Sequence, residues 1–252
     1  MRNKSSIMIK LIPYIIVTTI VFLWYYMTNV SLTADPILIP KPQQVIRAFI
    51  KDRVWMVQGL FASLGRLLLG YIIAMPLATY LGVWSAWKPI VHRIFYPFIR
   101  VLSPIPPLIY SPFLVALLPS FKSASMVMIV IGIFMPTYLN VVHRLDHIEE
   151  KILVPALMLE LNDYEMVHYI LLPYAYPGIL TGCRTTLSTS FMILTFAEMM
   201  GADSGLGFYI RYFADYGNYT NVIAGIILTS IVILIINALF GFVEKVAVPW
   251  RT

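Results

Sequence analysis

Charged side chains are scarce in this sequence: they make up 12% of its 252 residues, while 60% are apolar. Soluble domains carry about 25% charged residues, so a globular enzyme surrounded by water is excluded before any motif is read. Cysteine is nearly missing as well. The lone Cys183 allows neither an intrachain disulfide nor a cysteine-rich metal site. No Gly-Lys pair occurs, which excludes a phosphate-cradling loop of the nucleoside triphosphatase type. There is no long self-similar period and no low-complexity tract. Lys and Arg exceed Asp and Glu by 18 to 12. Orientation in a bilayer accounts for that excess, so it gives no ground for nucleic-acid binding.

What the chain does contain is apolar runs. Crossing a bilayer takes about 20 apolar residues in a helix. Six stretches qualify as spans: Leu11 to Met27, Leu60 to Trp84, Val101 to Pro119, Ser123 to Val142, Ile179 to Met200 and Val222 to Val243. They predict an all-α, polytopic membrane protein with about six transmembrane helices, a single domain over residues 1–252. Trp24, Tyr25 and Tyr26 close the first span as an interfacial belt where a signal peptide would carry small residues for cleavage. Pro36, Pro40 and Pro42 then break the chain before a short amphipathic segment, Gln43 to Asp52, and a turn holding Lys88, Pro89, His92 and Arg93 separates the second and third spans. Between the fourth and fifth spans lies a polar block with Arg144, Asp146, Glu149, Glu150, Lys151, Glu160 and Asp163, read as a helical cytoplasmic segment. Basic residues outside the spans favour cytoplasmic N- and C-termini.

Charges inside spans carry more information. A charge at a helix centre costs about 2.5–3.5 kcal/mol on insertion scales, so it faces protein or a water-filled cavity. Arg184 lies near the cytoplasmic end of its span, where snorkelling accounts for it. Arg66 and Glu198 are expected either to pair across helices or to line a polar path. If they couple to an ion, the chain would be a secondary transporter. Proline gives a second signal. Pro104, Pro106 and Pro107 follow Ser103 at the start of the third span, with Tyr110 and Pro112 beyond. Each proline removes a backbone donor, so this span is expected to be broken and turned toward a pathway or a helix interface. His143, Asp146 and His147 fall on one helical face and resemble part of a zinc site, but a third ligand is wanting and a solvated face is expected.

The polar block also carries a resemblance. Permease subunits of ABC importers have, on their penultimate cytoplasmic loop, Glu-Ala-Ala, three residues, Gly, nine residues, Ile, one residue and Leu-Pro. Aligned on Leu172-Pro173, this chain supplies Ile170 and Ala156 in register, and departs with Val154 for Glu, Pro155 for the first Ala and Glu160 for Gly. LLPYAYPGILTGCR followed by AEMMGADSGLG, together with SPIPPLIYSP, ILIPKPQQVIRAF and SLGRLLLGY, resembles corresponding stretches of nitrate, taurine and alkanesulfonate importer permeases.

The resemblance implies a type I ABC importer permease fold in a bacterial plasma (inner) membrane. The chain itself would bind no cofactor and catalyse nothing. ATP and Mg would be held by two copies of an ABC ATP-binding subunit. A second permease copy, identical or similar, would complete the pore, an extracytoplasmic substrate-binding protein would deliver the solute, and lipid would surround the spans. Residues 144–173 become the ATPase-coupling loop, with a docking helix over Ala156 to Glu165 in which Glu160, Asn162, Asp163, Tyr164 and Glu165 offer contacts and Ile170, Leu172 and Pro173 complete the motif. Pro155 is expected in a first helical turn, Asn162-Asp163 as a helix cap, and Glu160 as a charged side chain needing its own place. Arg66, Ser103, Pro104, Pro106, Pro107, Tyr110 and Glu198 are the candidates for the translocation path. The solute would be a small anion, such as a sulfonate or nitrate, or a heterocyclic vitamin precursor.

Overall fold

The computed structural model describes residues 2–30, 35 and 37–247, and among them there is helix and loop but no strand. Pro36 lies outside the described residues. Contacts divide the chain into two compact units, Met1–Gln58 with Tyr209–Leu228, and Gly59–Phe208 with Thr229–Thr252.

The first unit contains α1 (Arg2–Asn29), α2 (Pro42–Lys51), the start of α3 (Arg53–Trp87), most of α10 (Leu206–Asp215) and the start of α11 (Tyr219–Ala247). The amphipathic segment after the prolines forms a helix, and Pro42 opens α2 where its missing N–H costs nothing. Val45 and Ala48 of α2 are buried with Met56, Tyr209 and Ala224, and Trp24 and Trp55 pack against them. Asp52, in the break between α2 and α3, accepts from Tyr209 Oη at 3.1 Å and from Asn221 Nδ2.

In the second unit α3 is followed by α4 (Pro89–Leu102), a 3-10 turn (Pro107–Tyr110), α5 (Ser111–Leu117), α6 (Phe121–Asp146) and α7 (Glu150–Met158). Then come α8 (Asp163–Glu165), a π-helical stretch (Met166–Leu171) and α9 (Leu172–Gly201). α6 packs along α9. Val83, Val141, Leu145, Ala156, Met166, Val167, Leu171, Ala175, Ile179 and Cys183 form the largest core cluster. Exposed Phe61, Leu68, Ile72, Leu234 and Phe242 form outward faces suited to lipid rather than water.

Among the described residues three helices, α3, α6 and α11, are long and apolar enough to cross a membrane, or four if α4 and the segment Pro107–Leu117 make one bent span. In α1 the apolar described part, Ile15–Asn29, is shorter. The expected third span is indeed broken, but its parts differ from the sequence reading. Only Lys88 stands outside helix between α3 and α4, so the expected turn from Lys88 to Arg93 is mostly the first turn of α4, with Pro89 at its start. The axes on either side of Ser103–Pro106 differ by 93°. Three prolines in four residues leave no run of donors for a continuous helix, while Pro112 sits harmlessly in the first turn of α5.

Candidate functional site

Arg66 and Glu198 meet. The Arg66 guanidinium donates through Nη1 to Glu198 Oε1 and to the Ser204 carbonyl, each at 2.8 Å, and through Nη2 to Ser204 Oγ at 2.6 Å. Ser63, one turn before Arg66 on α3, donates its hydroxyl to the same carboxylate at 2.8 Å and accepts from the Leu206 N–H at 2.9 Å. Gly207 N–H adds a bond to Glu198 Oε2 at 2.9 Å. Arg66 is 8% exposed and Glu198 1%. Such burial is tolerable because each charge has an opposite charge and several hydrogen bonds.

The loop that closes over this pair needs its glycines. Gly205 has φ +116° and the Glu198 carboxylate stands where its Cβ would be, and a Cβ on Gly207 would meet the Thr195 carbonyl and Glu198 Cβ. Asp203, largely exposed, lies 3.6 Å from Arg66. Arg66 also borders a cavity of about 330 Å³ with Ser120, Lys122, Ser125 and Asp203.

The proline break borders a second cavity, of about 200 Å³, lined by Ser103, Pro104, Pro106 and Pro107 with Gly132, Pro136, Thr189 and Met192. The Tyr110 hydroxyl, just beyond, is buried without a hydrogen-bond partner. α9 shows a hydroxyl-bearing exposed side through Thr185, Ser188 and Thr189, continued by Met192. Arg184, expected to snorkel, keeps a half-exposed side chain and lies 3.3 Å from Glu244, which also accepts from Thr181 at 2.8 Å.

The loop between α6 and α9 departs from its expected form. Ala156 to Glu165 is not one helix: α7 ends at Met158 and a new helix begins at Asp163. Pro155 is inside α7, past its first turn. Ala156 is buried at 3%, anchoring α7, while Val154, Leu157, Met158 and Leu159 are exposed. Glu160 has φ +49°, in the left-handed region. That backbone explains why the family pattern has glycine at this position, since a side chain there costs about 1–2 kcal/mol.

The expected cap at Asn162 is present. Asn162 Oδ1 accepts from Glu165 N at 2.9 Å and Glu165 Oε2 accepts from Asn162 N at 3.0 Å, a reciprocal capping box. Tyr164 is exposed; its ring stacks on His168 at 3.9 Å. Asp163 is engaged within the chain: it accepts from Trp87 Nε1 at 2.7 Å and pairs with Lys88 at 2.5 Å. Ile170 and Leu172 are half-buried and Pro173 is exposed, in the first turn of α9.

Among the described residues no three His, Cys, Asp or Glu side chains gather as metal ligands. His143 packs edge-on to Tyr96, and His147 bonds the His143 carbonyl. Sequence reasoning overlooked Ser63, Ser204, Trp87, Lys88 and Glu244. Glu244 had a signal, as the only carboxylate after Asp215. The others had none, because their partners lie far along the chain.

An all-helical chain with apolar spans, a buried intramembrane ion pair and a polar loop between spans defines a polytopic membrane permease. Residues 74–251, more than half of the chain, match the family described as binding-protein-dependent transport system inner membrane component, and the chain belongs to that family. It is a multi-pass permease subunit of an ABC-type importer. The taurine transport system permease protein of Escherichia coli is 26% identical over 237 residues, 90% of this chain and 85% of the relative. The nitrate import permease protein of Leptolyngbya laminosa is 30% identical over 196 residues, 76% of this chain and 70% of the relative. A putative aliphatic sulfonates transport permease protein of Bacillus subtilis is 24% identical over 92% of this chain and 84% of its own. In fold, the chain resembles a chain of the MetNI methionine ABC transporter in an inward-facing conformation, with a TM-score of 0.65 and 20% identity over 78% of this chain and 97% of that one.

Proposed function

We propose that the whole chain acts as one permease domain which carries a small oxyanion, organic or inorganic, inward through a pore completed by a second permease copy. Two ATP-binding subunits drive it from the cytoplasm, where residues 144–173 and both termini lie, and an extracytoplasmic binding protein delivers the solute. The substrate class rests on relatives named for taurine, sulfonates and nitrate. Orientation rests on the excess of basic residues on the inner side.

The observation that carries the docking reading is the apolar patch of α7. Val154, Leu157, Met158 and Leu159 are exposed in a loop whose neighbours are polar, outside the apolar spans. An apolar cluster in water calls for a protein partner. Ala156 holds the helix from behind, and Glu160 turns the chain back. For the path, irregular backbone at Ser103–Pro107 and the hydroxyls of Thr185 and Thr189 are supporting features, because neither belongs against lipid. Arg66 and Glu198 then brace the helices beside the path rather than exchange ions.

Co-purification tests docking. Replacing Leu157 and Met158 together by Asp is expected to strip the ATP-binding subunits from the permease while leaving its own folding intact. Retention of those subunits at the wild-type ratio overturns the reading.

A further inference from the structure

The docking loop has two parts that the chain holds differently. α7 is free on its outer side. The stretch from Asp163 onward is fastened: Trp87 Nε1 donates to Asp163 Oδ1 at 2.7 Å, Lys88 Nζ lies 2.5 Å from Oδ2, and Tyr80 Oη is 3.4 Å from His168 Nε2. Tyr80 and Trp87 recur at helical spacing on α3, and behind them Val83 is buried with Met166 and Val167 of the π-helical stretch. The one left-handed non-glycine residue among the described residues, Glu160, separates the free part from the fastened one.

Lys88 has a second position in this arrangement. It is the residue from which α4 starts, and α4 stays helical to Leu102, past the interior Pro97, beside the break whose Ser103, Pro104, Pro106 and Pro107 line the 200 Å³ cavity. A helix of 14 residues is about 21 Å long, and Pro97 removes one of its backbone hydrogen bonds without ending it, so a push at one end is still felt at the other. We infer that Asp163, clamped by Trp87 and Lys88, is the joint through which movement of the docking helix enters α4 and reaches the proline break. The inference rests on the docking reading and adds the residues and the element that carry the movement.

The chemistry suits a joint rather than a store of stability. A carboxylate has two oxygens, and here one takes an indole N–H and the other an ammonium, which fixes direction as well as distance. Both charged side chains are partly exposed, so the pair contributes little to folding. Asp163, Trp87 and Lys88 are therefore positioning residues, and none of them needs to touch the ATP-binding subunits or the solute.

The test uses the assembled transporter, permease with its ATP-binding subunits, reconstituted in lipid vesicles with its binding protein and solute. Asp163→Asn, Lys88→Gln and Trp87→Phe should each leave the ATP-binding subunits bound and basal hydrolysis within about twofold, while uptake per ATP hydrolysed falls by up to about tenfold. Lys88→Arg should restore the ratio, and Asp163→Asn combined with Lys88→Gln should be no worse than either alone. Wild-type uptake per ATP in Asp163→Asn and Lys88→Gln overturns the inference. So does loss of the ATP-binding subunits in these two variants, which would make the residues part of the docking surface. Failure of the docking reading is a separate result, seen as retention of those subunits after Leu157→Asp with Met158→Asp.

Discussion

The Arg66 guanidinium lies 2.8 Å from the Glu198 carboxylate, across 132 residues of sequence, with both side chains buried. Ser63 and the Gly207 N–H complete the shell around the carboxylate, so the pair ties α3, the end of α9 and the loop after it into one cluster. Removing one partner of such a pair strands the other in a medium that solvates it poorly.

Glu198→Ala should therefore lower the stability of the purified permease by about 3–5 kcal/mol. Glu198→Gln should cost less, since it keeps the side-chain volume and one acceptor oxygen for the surrounding donors, although its NH2 then faces a donor and the charge on Arg66 is left unmatched. Thermal unfolding in detergent measures both, and equal midpoints for wild type and Glu198→Ala would contradict the account.

Gly207→Ala should be severe for a different reason. The added methyl meets the Thr195 carbonyl, which is backbone, and Glu198 Cβ at 2.8 Å, so relief requires the loop to move off the ion pair. Overpacking of this kind costs about 1–3 kcal/mol. The same thermal measurement applies, and Gly65→Ala, where a Cβ would meet nothing within 4 Å, is the control.

Glu160→Gly should stabilise the loop between α6 and α9. The left-handed backbone at φ +49° is strained for glutamate and free for glycine, a gain of up to about 1 kcal/mol after the entropy that glycine adds to the unfolded chain. Glu160→Val should do the opposite. Rates of proteolytic cleavage between α7 and α8 report the order: Gly slowest, Val fastest.

The tie at Asp163 should respond to acid and salt. Lys88 first, and the Trp87 indole N–H second, hold its carboxyl below the ordinary value near 3.8. A carboxyl with a depressed pKa in the folded state contributes fully above its unfolded pKa, and the contribution is lost as pH falls through the lower, folded value. The tie is accordingly whole at pH 7 and is lost only below about pH 4. The fluorescence difference between wild type and Trp87→Phe should stay flat from pH 8 to 5 and change below about 4, and high salt should weaken the Lys88 contribution.

Tyr209→Phe should cost about 1–2 kcal/mol, because Asp52 loses one of its two side-chain donors while Asn221 remains. Adding Asn221→Leu should cost less than the sum of the single changes, since Asn221 Nδ2 also donates to Tyr209 Oη at 3.0 Å and either change alone already breaks that bond. A double-mutant cycle by thermal unfolding checks this.

Much of this was readable along the chain because it depends on local covalent properties. Pro104, Pro106 and Pro107 break a helix wherever they stand, and Asn162 with Glu165 three residues later makes a cap from its own backbone. The helix expected over Ala156 to Glu165 is divided instead because the chain turns at Glu160, a residue with no local preference for the left-handed region. On either side of that turn the chain is held by tertiary contacts, Ala156 in the core and Asp163 on Trp87 and Lys88.

The sequence by itself determined the solvent, since so few charges and so many long apolar runs leave no alternative to a bilayer, and it singled out Arg66 and Glu198 as charges to be paired or to line a polar path and Arg184 as one placed to snorkel. It could not choose between pairing and a polar path. Glu198 for Arg66, Glu244 for Arg184 and Lys88 for Asp163 were decided by tertiary structure, because the energy of a charge pair depends on a separation of a few ångströms that residues 60 to 130 apart reach only when the helices between them have packed.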